Sequence, residues 1–176
     1  MTGPGNLDWR PVSADLVARP VATALAAWPR GSDVLVAPID PDLADTAAFC
    51  ERYGVEVADS ANCVVIAGRR GDAVRYAACV VLATTRADVN GVVRRRLDAR
   101  KASFAPMAEA VELSGMEYGG ITPIGLPDSW PVYVDAAVLE RPAVVIGSGL
   151  RRSKLALPST ALADLDGAEV IDGLAG

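Results

Sequence analysis

The residues best placed to do chemistry lie between Gly115 and Pro127. The run Gly115-Met116-Glu117-Tyr118-Gly119-Gly120-Ile121-Thr122-Pro123-Ile124-Gly125-Leu126-Pro127 holds four glycines and two prolines. A stretch so rich in both cannot be a central strand throughout. One reading is a long connecting loop. The other starts from what Gly119, Gly120 and Pro123 permit. Glycine lets the backbone approach a ligand closely and take positive φ, and proline fixes the turn that aims the neighbouring amides. Such a loop can point N–H donors at a carbonyl oxygen and stabilise the charge that develops there during acyl transfer.

The residues that are missing narrow the chemistry further. There is no histidine, which removes Ser-His-Asp and Cys-His nucleophilic catalysis and His-based metal sites. The three cysteines, Cys50, Cys63 and Cys79, form no CxxC pair and read as reduced, buried thiols. No glycine-rich phosphate cradle is present. No metal or organic cofactor is expected, and an enzyme made from this chain would work with backbone amides, hydroxyls and geometry.

The net charge of −5 argues against bulk attraction to nucleic acid. Its distribution is uneven. Seven acidic residues and one basic residue, Arg52, lie between Asp33 and Asp59, whereas five basic residues and one acidic residue lie between Arg94 and Lys101. Arg151, Arg152 and Lys154 form a second basic cluster. These are either solvated faces or a local phosphate-binding patch on an acidic body.

The elements that must position these residues follow from pattern. Leu16 to Trp28 carries helical spacing behind a Ser13 cap, with Pro20 able to kink or split it. Val34 to Ala37 reads as a strand. Asp40-Pro41 opens a helix that stops at Gly54, and Val55 to Val57 as an edge strand. Cys63 to Ala67 is a continuous apolar run, joined by a loop of five residues, Gly68 to Asp72, to a strand from Val74 to Thr84. Asp88 caps a helix to Leu97 that turns Arg94, Arg95 and Arg96 outward, and Pro106 opens another that ends at Gly115. Further strands are expected at Val132 to Val134, Ala143 to Ile146, Lys154 to Leu157 and Glu169 to Ile171, with a short helix from Pro158-Ser159 to Leu165.

With 176 residues, 51% of them hydrophobic and 5% aromatic, the chain is expected to be one domain, 1–176, with an aliphatic core. Residues 1–32 read as an N-terminal helical extension. No apolar run approaches a membrane span, and the first residues do not read as a signal peptide; a cytoplasmic protein is expected. Strands and short helices alternate without a steady βαβ rhythm. That predicts an α+β fold with a mixed, curved, barrel-like sheet and surrounding short helices.

Ser114-Gly115-Met116-Glu117-Tyr118-Gly119-Gly120-Ile121-Thr122-Pro123-Ile124-Gly125 resembles the [ST]-G-x-x-x-G-G-[VI]-[ST]-P-x-G signature of the YbaK/EbsC family. That family includes free-standing trans-editing domains and the inserted editing domain of bacterial prolyl-tRNA synthetases. The resemblance extends to Val134-Asp135, to Val145 through Arg151 and to Leu162 through Val170. It implies hydrolysis of the ester that links a wrong, small amino acid, such as alanine or cysteine, to proline tRNA. It also implies that the loop from Gly119 to Pro123, including Gly120, Ile121 and Thr122, holds the aminoacyl carbonyl and the terminal ribose. Water would be activated largely by the substrate's own ribose hydroxyl, so positioning supplies much of the rate. Asp135, Ser148, Gly149 and Arg151 fall on the family's other matching segments and are candidate substrate contacts.

One departure matters. Family members commonly carry a lysine just before the first buried strand, where this chain has Asn62. Asparagine donates hydrogen bonds but carries no charge. Asn62 either keeps a weaker positioning role, or Lys101 or Arg151 supplies the charge, or hydrolysis is lost. The reading is therefore a trans-editing aminoacyl-tRNA deacylase whose partner is the acceptor end of a tRNA. The alternatives are a non-catalytic module of the same fold that binds a ligand or protein, and a hydrolase of another ester or thioester. The oligomeric state, monomer or homodimer, is left open.

Overall fold

A computed structural model describes residues 3–176. Its first strand, β1 (Arg10–Pro11), is a two-residue edge. The expected first helix is split, as Pro20 allows: a 3-10 turn at Ala14–Leu16 precedes α1 (Arg19–Ala27), with Pro20 in the first turn. There the missing N–H costs nothing and the fixed φ suits the helix. Ser13 makes no side-chain cap bond. β2 (Leu35–Pro38) follows. Asp40 accepts a hydrogen bond from the Asp42 N–H (3.0 Å) and caps a 3-10 turn, Pro41–Leu43. α2 (Thr46–Tyr53) then ends at Gly54, whose φ of 67° closes it in the left-handed region. Val55 to Val57 is not a strand; a 3-10 turn occupies Val57–Asp59.

The long hairpin is β3 (Ala61–Arg70) and β4 (Ala73–Leu82). The predicted five-residue loop is in fact a two-residue turn, Gly71-Asp72, with Gly71 at φ 57°. Gly68, expected in the turn, lies inside β3. It pairs with Arg75, and a Cβ there would come within 3.0 Å of Leu97 and Ala99 side chains. Close packing, rather than a bend, explains this glycine.

Asp88 caps a π-helical turn, Val89–Val93, which continues into α3 (Arg94–Arg96). β5 (Lys101–Phe104), which the sequence did not suggest, forms an edge strand antiparallel to β3. α4 (Met107–Ser114) ends at Gly115, φ 70°. β6 (Val132–Asp135), β7 (Ala143–Gly147), β8 (Ser153–Pro158) and β9 (Ala168–Ile171) complete the described chain.

The α+β class holds, but the strands form two sheets and are not closed into a barrel. One has the order β1-β2-β8-β7 and the other β5-β3-β4-β6-β9. A single parallel bridge, Ser60 to Val145, joins the base of the hairpin to β7. The main core lies between the sheets, where Val36, Val80, Val134, Val144, Leu155 and Leu157 are fully buried. A second cluster, with Ile66, Val93, Leu97 and Leu174, packs the basic helix α3 and its turn on the outer face of the hairpin sheet. Val17, Ala18, Val21 and Leu25 of the N-terminal segment belong to the main core.

Candidate active site

β3 is flanked unevenly along its outer edge. β5 pairs with Ile66 to Arg69, and Val145 sits beside Ser60. Between them Asn62, Cys63 and Val64 have no strand alongside. A cleft of about 360 Å³ opens there, a volume suited to a small ligand. Its walls come from the turn before α2 (Ala44 to Thr46), the ends of β5 and β7, Ala110 of α4, the glycine loop at Tyr118, Gly119 and Ile121, and Lys154 of β8.

The glycine loop is held in place by its neighbours. Gly149, at φ 87°, donates its N–H to the Gly120 carbonyl (2.7 Å), and the Glu117 N–H donates to the Gly149 carbonyl (2.9 Å). Arg151 adds three contacts. Its N–H donates to Glu117 Oε1 (2.7 Å), and its guanidinium donates to the carbonyls of Tyr118 (3.3 Å) and Pro41 (3.1 Å). Gly147 allows the close approach, since a Cβ there would lie 2.5 Å from the Gly120 carbonyl oxygen. Gly120 is equally constrained: its own Cβ would meet the Leu150 backbone at 2.8 Å.

The donors of this loop divide. The Gly120 N–H is engaged with the Glu117 carbonyl (3.0 Å), and the Thr122 N–H points at the Met116 sulfur (3.5 Å). Among the described residues, no hydrogen-bond partner is found for the N–H groups of Gly119 and Ile121, and these two residues line the cleft. Gly120, Thr122 and Pro123 are buried behind them. The Thr122 hydroxyl is fully buried with no partner.

The cation of the cleft is Lys154. It is only 8% exposed. Lysine is seldom buried without an ion partner, yet no carboxylate lies within ion-pair distance of it among the described residues. Its Nζ donates to the Ala44 carbonyl (3.1 Å) and sits 5.2 Å from the centroid of the Phe49 ring. Burial lowers its pKa below the ordinary lysine value, and nearby Arg151 pushes the same way; Cys50 and Asp45 act in the opposite sense. Asn62 lines the same cleft, and its Oδ1 accepts from Thr46 Oγ1 (2.9 Å), which leaves the amide nitrogen as its donor. Cys63 is also in the wall, but burial raises its pKa and keeps it a thiol rather than a nucleophilic thiolate.

The structure thus brings Asn62, Gly119 and Ile121 to one cleft, with Arg151 bracing its rim. It does not bring the other expected residues there. Lys101 is exposed on β5, opposite Arg69. Ser148 is buried in a local network with Ser153 Oγ (2.6 Å) and the Leu150 carbonyl (3.1 Å). Asp135 is buried at the end of β6. Burial raises its pKa, while the backbone N–H groups of Leu174, Ala175 and Ala136 oppose the rise. Local sequence does not mark Lys154 as a site residue, because it opens an apolar strand, Lys154-Leu155-Ala156-Leu157, and follows Arg151 and Arg152 in a basic cluster. The available signal was scarcity: only two lysines occur in the chain.

The site is thus a glycine loop braced beside a small cleft in an α+β frame, with a buried cation inside the cleft. The sequence profile of the aminoacyl-tRNA editing domain matches residues 40–165, and the chain belongs to that family. A crystal structure of a protein proposed as a trans-editing enzyme for prolyl tRNA synthetase superposes with a TM-score of 0.75 at 25% identity, over 92% of this chain and 97% of the other. The hypothetical protein APE2540 shares the fold, with a TM-score of 0.76 at 23% identity over 90% of this chain and all of its own. A search of curated proteins returns no match.

Proposed function

We propose that the protein is an aminoacyl-tRNA deacylase acting in trans. It would hydrolyse the ester between a small, wrongly attached amino acid, such as alanine or cysteine, and proline tRNA. The observation that carries this reading is the buried, carboxylate-free ammonium of Lys154, which faces the same cleft as Asn62, Gly119 and Ile121.

In this reading the ester carbonyl enters the cleft and its oxygen takes donors from the loop amides and from Lys154. Water adds to the carbonyl carbon, guided by the free ribose hydroxyl of the substrate. The bond to the ribose oxygen then breaks, that oxygen gains a proton, and the amino acid leaves as its carboxylate. A fixed positive charge in a site shielded from water stabilises the oxyanion more than it would in bulk solvent. Asn62 adds a neutral donor. The restriction to small side chains is supported by the cleft's size and by Val64, Val65, Ile121 and Ile146 in its walls. Steric exclusion of this kind is the basis of a second sieve.

The test is a panel of mischarged tRNAs, with ester loss measured against an uncatalysed control. Acceleration is expected for alanine or cysteine on proline tRNA. No acceleration on any member defeats the proposal, and tight binding without turnover would favour the non-catalytic alternative.

A further inference from the structure

Phe104 is 63% exposed and Tyr118 is 53% exposed, and both line the mouth of the cleft. The other phenylalanine of the chain, Phe49, is fully buried. Two solvent-facing aromatic rings at the entrance of a site are unusual in a chain with so few aromatics. Phe104 ends the edge strand β5, and the strand leads back to Lys101. At about 3.3 Å per residue, three steps span roughly 10 Å.

The far end of that strand is basic. Lys101 pairs with Arg69, and the Arg100 N–H donates to the Arg69 carbonyl (2.8 Å). Arg95 lies on α3, which leads into β5. Arg69, Arg95, Arg100 and Lys101 are all exposed, and none has an ion pair or a side-chain hydrogen bond among the described residues. Their neighbours differ: Arg70 pairs with Asp98 (3.1 Å) and Arg96 pairs with Glu169. On a protein of net charge −5, these uncompensated cations beside an aromatic-edged cleft match a strand of phosphates with a base at its end. A roughly 10 Å path is long enough for a short stretch of single strand to pass from the cations to the cleft.

We propose that the single-stranded 3′ end of a tRNA runs along β5. Its terminal base stacks on Phe104 with Tyr118 across the mouth, and the preceding phosphates lie over Arg69, Arg95, Arg100 and Lys101. The inference rests on the deacylase reading and says how its substrate is held. Stacking accepts any base, and the phosphate contacts carry no sequence information. Lys101 therefore acts on the nucleic-acid backbone and not on the ester.

The experiment measures KM for a mischarged tRNA as a function of salt. Phe104→Ala is expected to raise KM about tenfold, and Phe104→Trp to restore it, because the aromatic face and not the exact side chain is required. The triple variant Arg69→Ala, Arg100→Ala, Lys101→Ala is expected to flatten the slope of log KM against log salt by about 2, at roughly 0.7 per single-strand phosphate contact. Parental KM in Phe104→Ala together with a parental salt slope in the triple variant overturns the inference. If the parent hydrolyses no mischarged tRNA, binding of an uncharged RNA hairpin with a single-stranded 3′ end is read in the same variants. Weakened binding then supports the path although the deacylase reading has failed, and unchanged binding overturns both.

Discussion

The Lys154 ammonium lies 5.2 Å from the centroid of the Phe49 ring, inside a cleft whose walls hold no carboxylate close enough to pair with it. The ring face offers partial compensation through its quadrupole, and the Ala44 carbonyl offers one acceptor. Neither replaces water fully. The charge is thus a cost to the fold that a bound carbonyl oxygen or phosphate would relieve, which is the signature of a group placed for a ligand.

This gives the first prediction. Burial lowers the Lys154 pKa below its ordinary value of 10.5. Between the lowered value and 10.5 the unfolded chain binds more protons than the folded one, so stability rises with pH across that window. Below the window the penalty is fully present. Lys154→Met keeps much of the side-chain volume and removes the charge. Its melting temperature at pH 7 is expected to equal or exceed the parent's, with a flatter rise at alkaline pH, while deacylation falls about a hundredfold. A variant that keeps the parental rate would show that the ammonium does not touch the reaction.

The second concerns Asn62. The family that the sequence resembles commonly carries a lysine at this position. In the structure Asn62 and Lys154 share one cleft, so Asn62→Lys places two ammonium groups in one poorly solvated space. Like charges lower each other's pKa and oppose both binding to the fold and full protonation. The single variant is expected to lose activity and melt lower than the parent. The exchange Asn62→Lys with Lys154→Asn carries one cation again and is expected to recover at least tenfold over the single Lys154→Asn variant. Rates measured across this cycle decide whether the charge can be relocated, and additive losses would refute it.

How far the sequence foretold this site depends on the distance over which each signal acts. Gly54 and Gly115 were legible as helix stops because a left-handed residue is a local demand. The glycine loop was legible as a site element, but the allocation of its N–H groups was not. Gly120 donates to Glu117, three residues back, while its carbonyl is claimed by Gly149 on another loop. β5 is not legible because Lys101-Ala102-Ser103-Phe104 is an edge strand with little burial, so it carries no alternation to read. Lys154 is hidden for the opposite reason: the tertiary fold, not its neighbours in sequence, buries its charge. Its partners Ala44 and Phe49 lie more than a hundred residues away.

The third prediction separates two adjacent glycines. A side chain at Gly120 meets the Leu150 backbone at 2.8 Å, which cannot move without opening the bonded pair of loops. Gly120→Val is expected to abolish deacylation and lower the melting temperature. Gly119 has φ 86°, and a Cβ there meets the end of the flexible Arg151 side chain. Gly119→Ala therefore has to bear mainly the left-handed backbone penalty of about 1–2 kcal/mol and a displaced guanidinium. A smaller fall in stability than for Gly120→Val is expected, with a clear rise in KM because Gly119 lines the cleft. Equal melting temperatures for the two variants would contradict the packing described for Gly120.

The last concerns Thr122, whose hydroxyl is fully buried without a partner. A buried hydroxyl left unpaired costs about 1–3 kcal/mol relative to one that is satisfied. Valine has nearly the same shape and no polar atom. The Thr122→Val variant is therefore expected to melt higher than the parent, by an amount consistent with about 1 kcal/mol or more. Because the Thr122 N–H faces the Met116 sulfur rather than a backbone oxygen, the gain comes from the side chain alone. A lower melting temperature for Thr122→Val would mean that the hydroxyl is satisfied in solution, for instance by an internal water, and that this part of the loop is more open than its burial indicates.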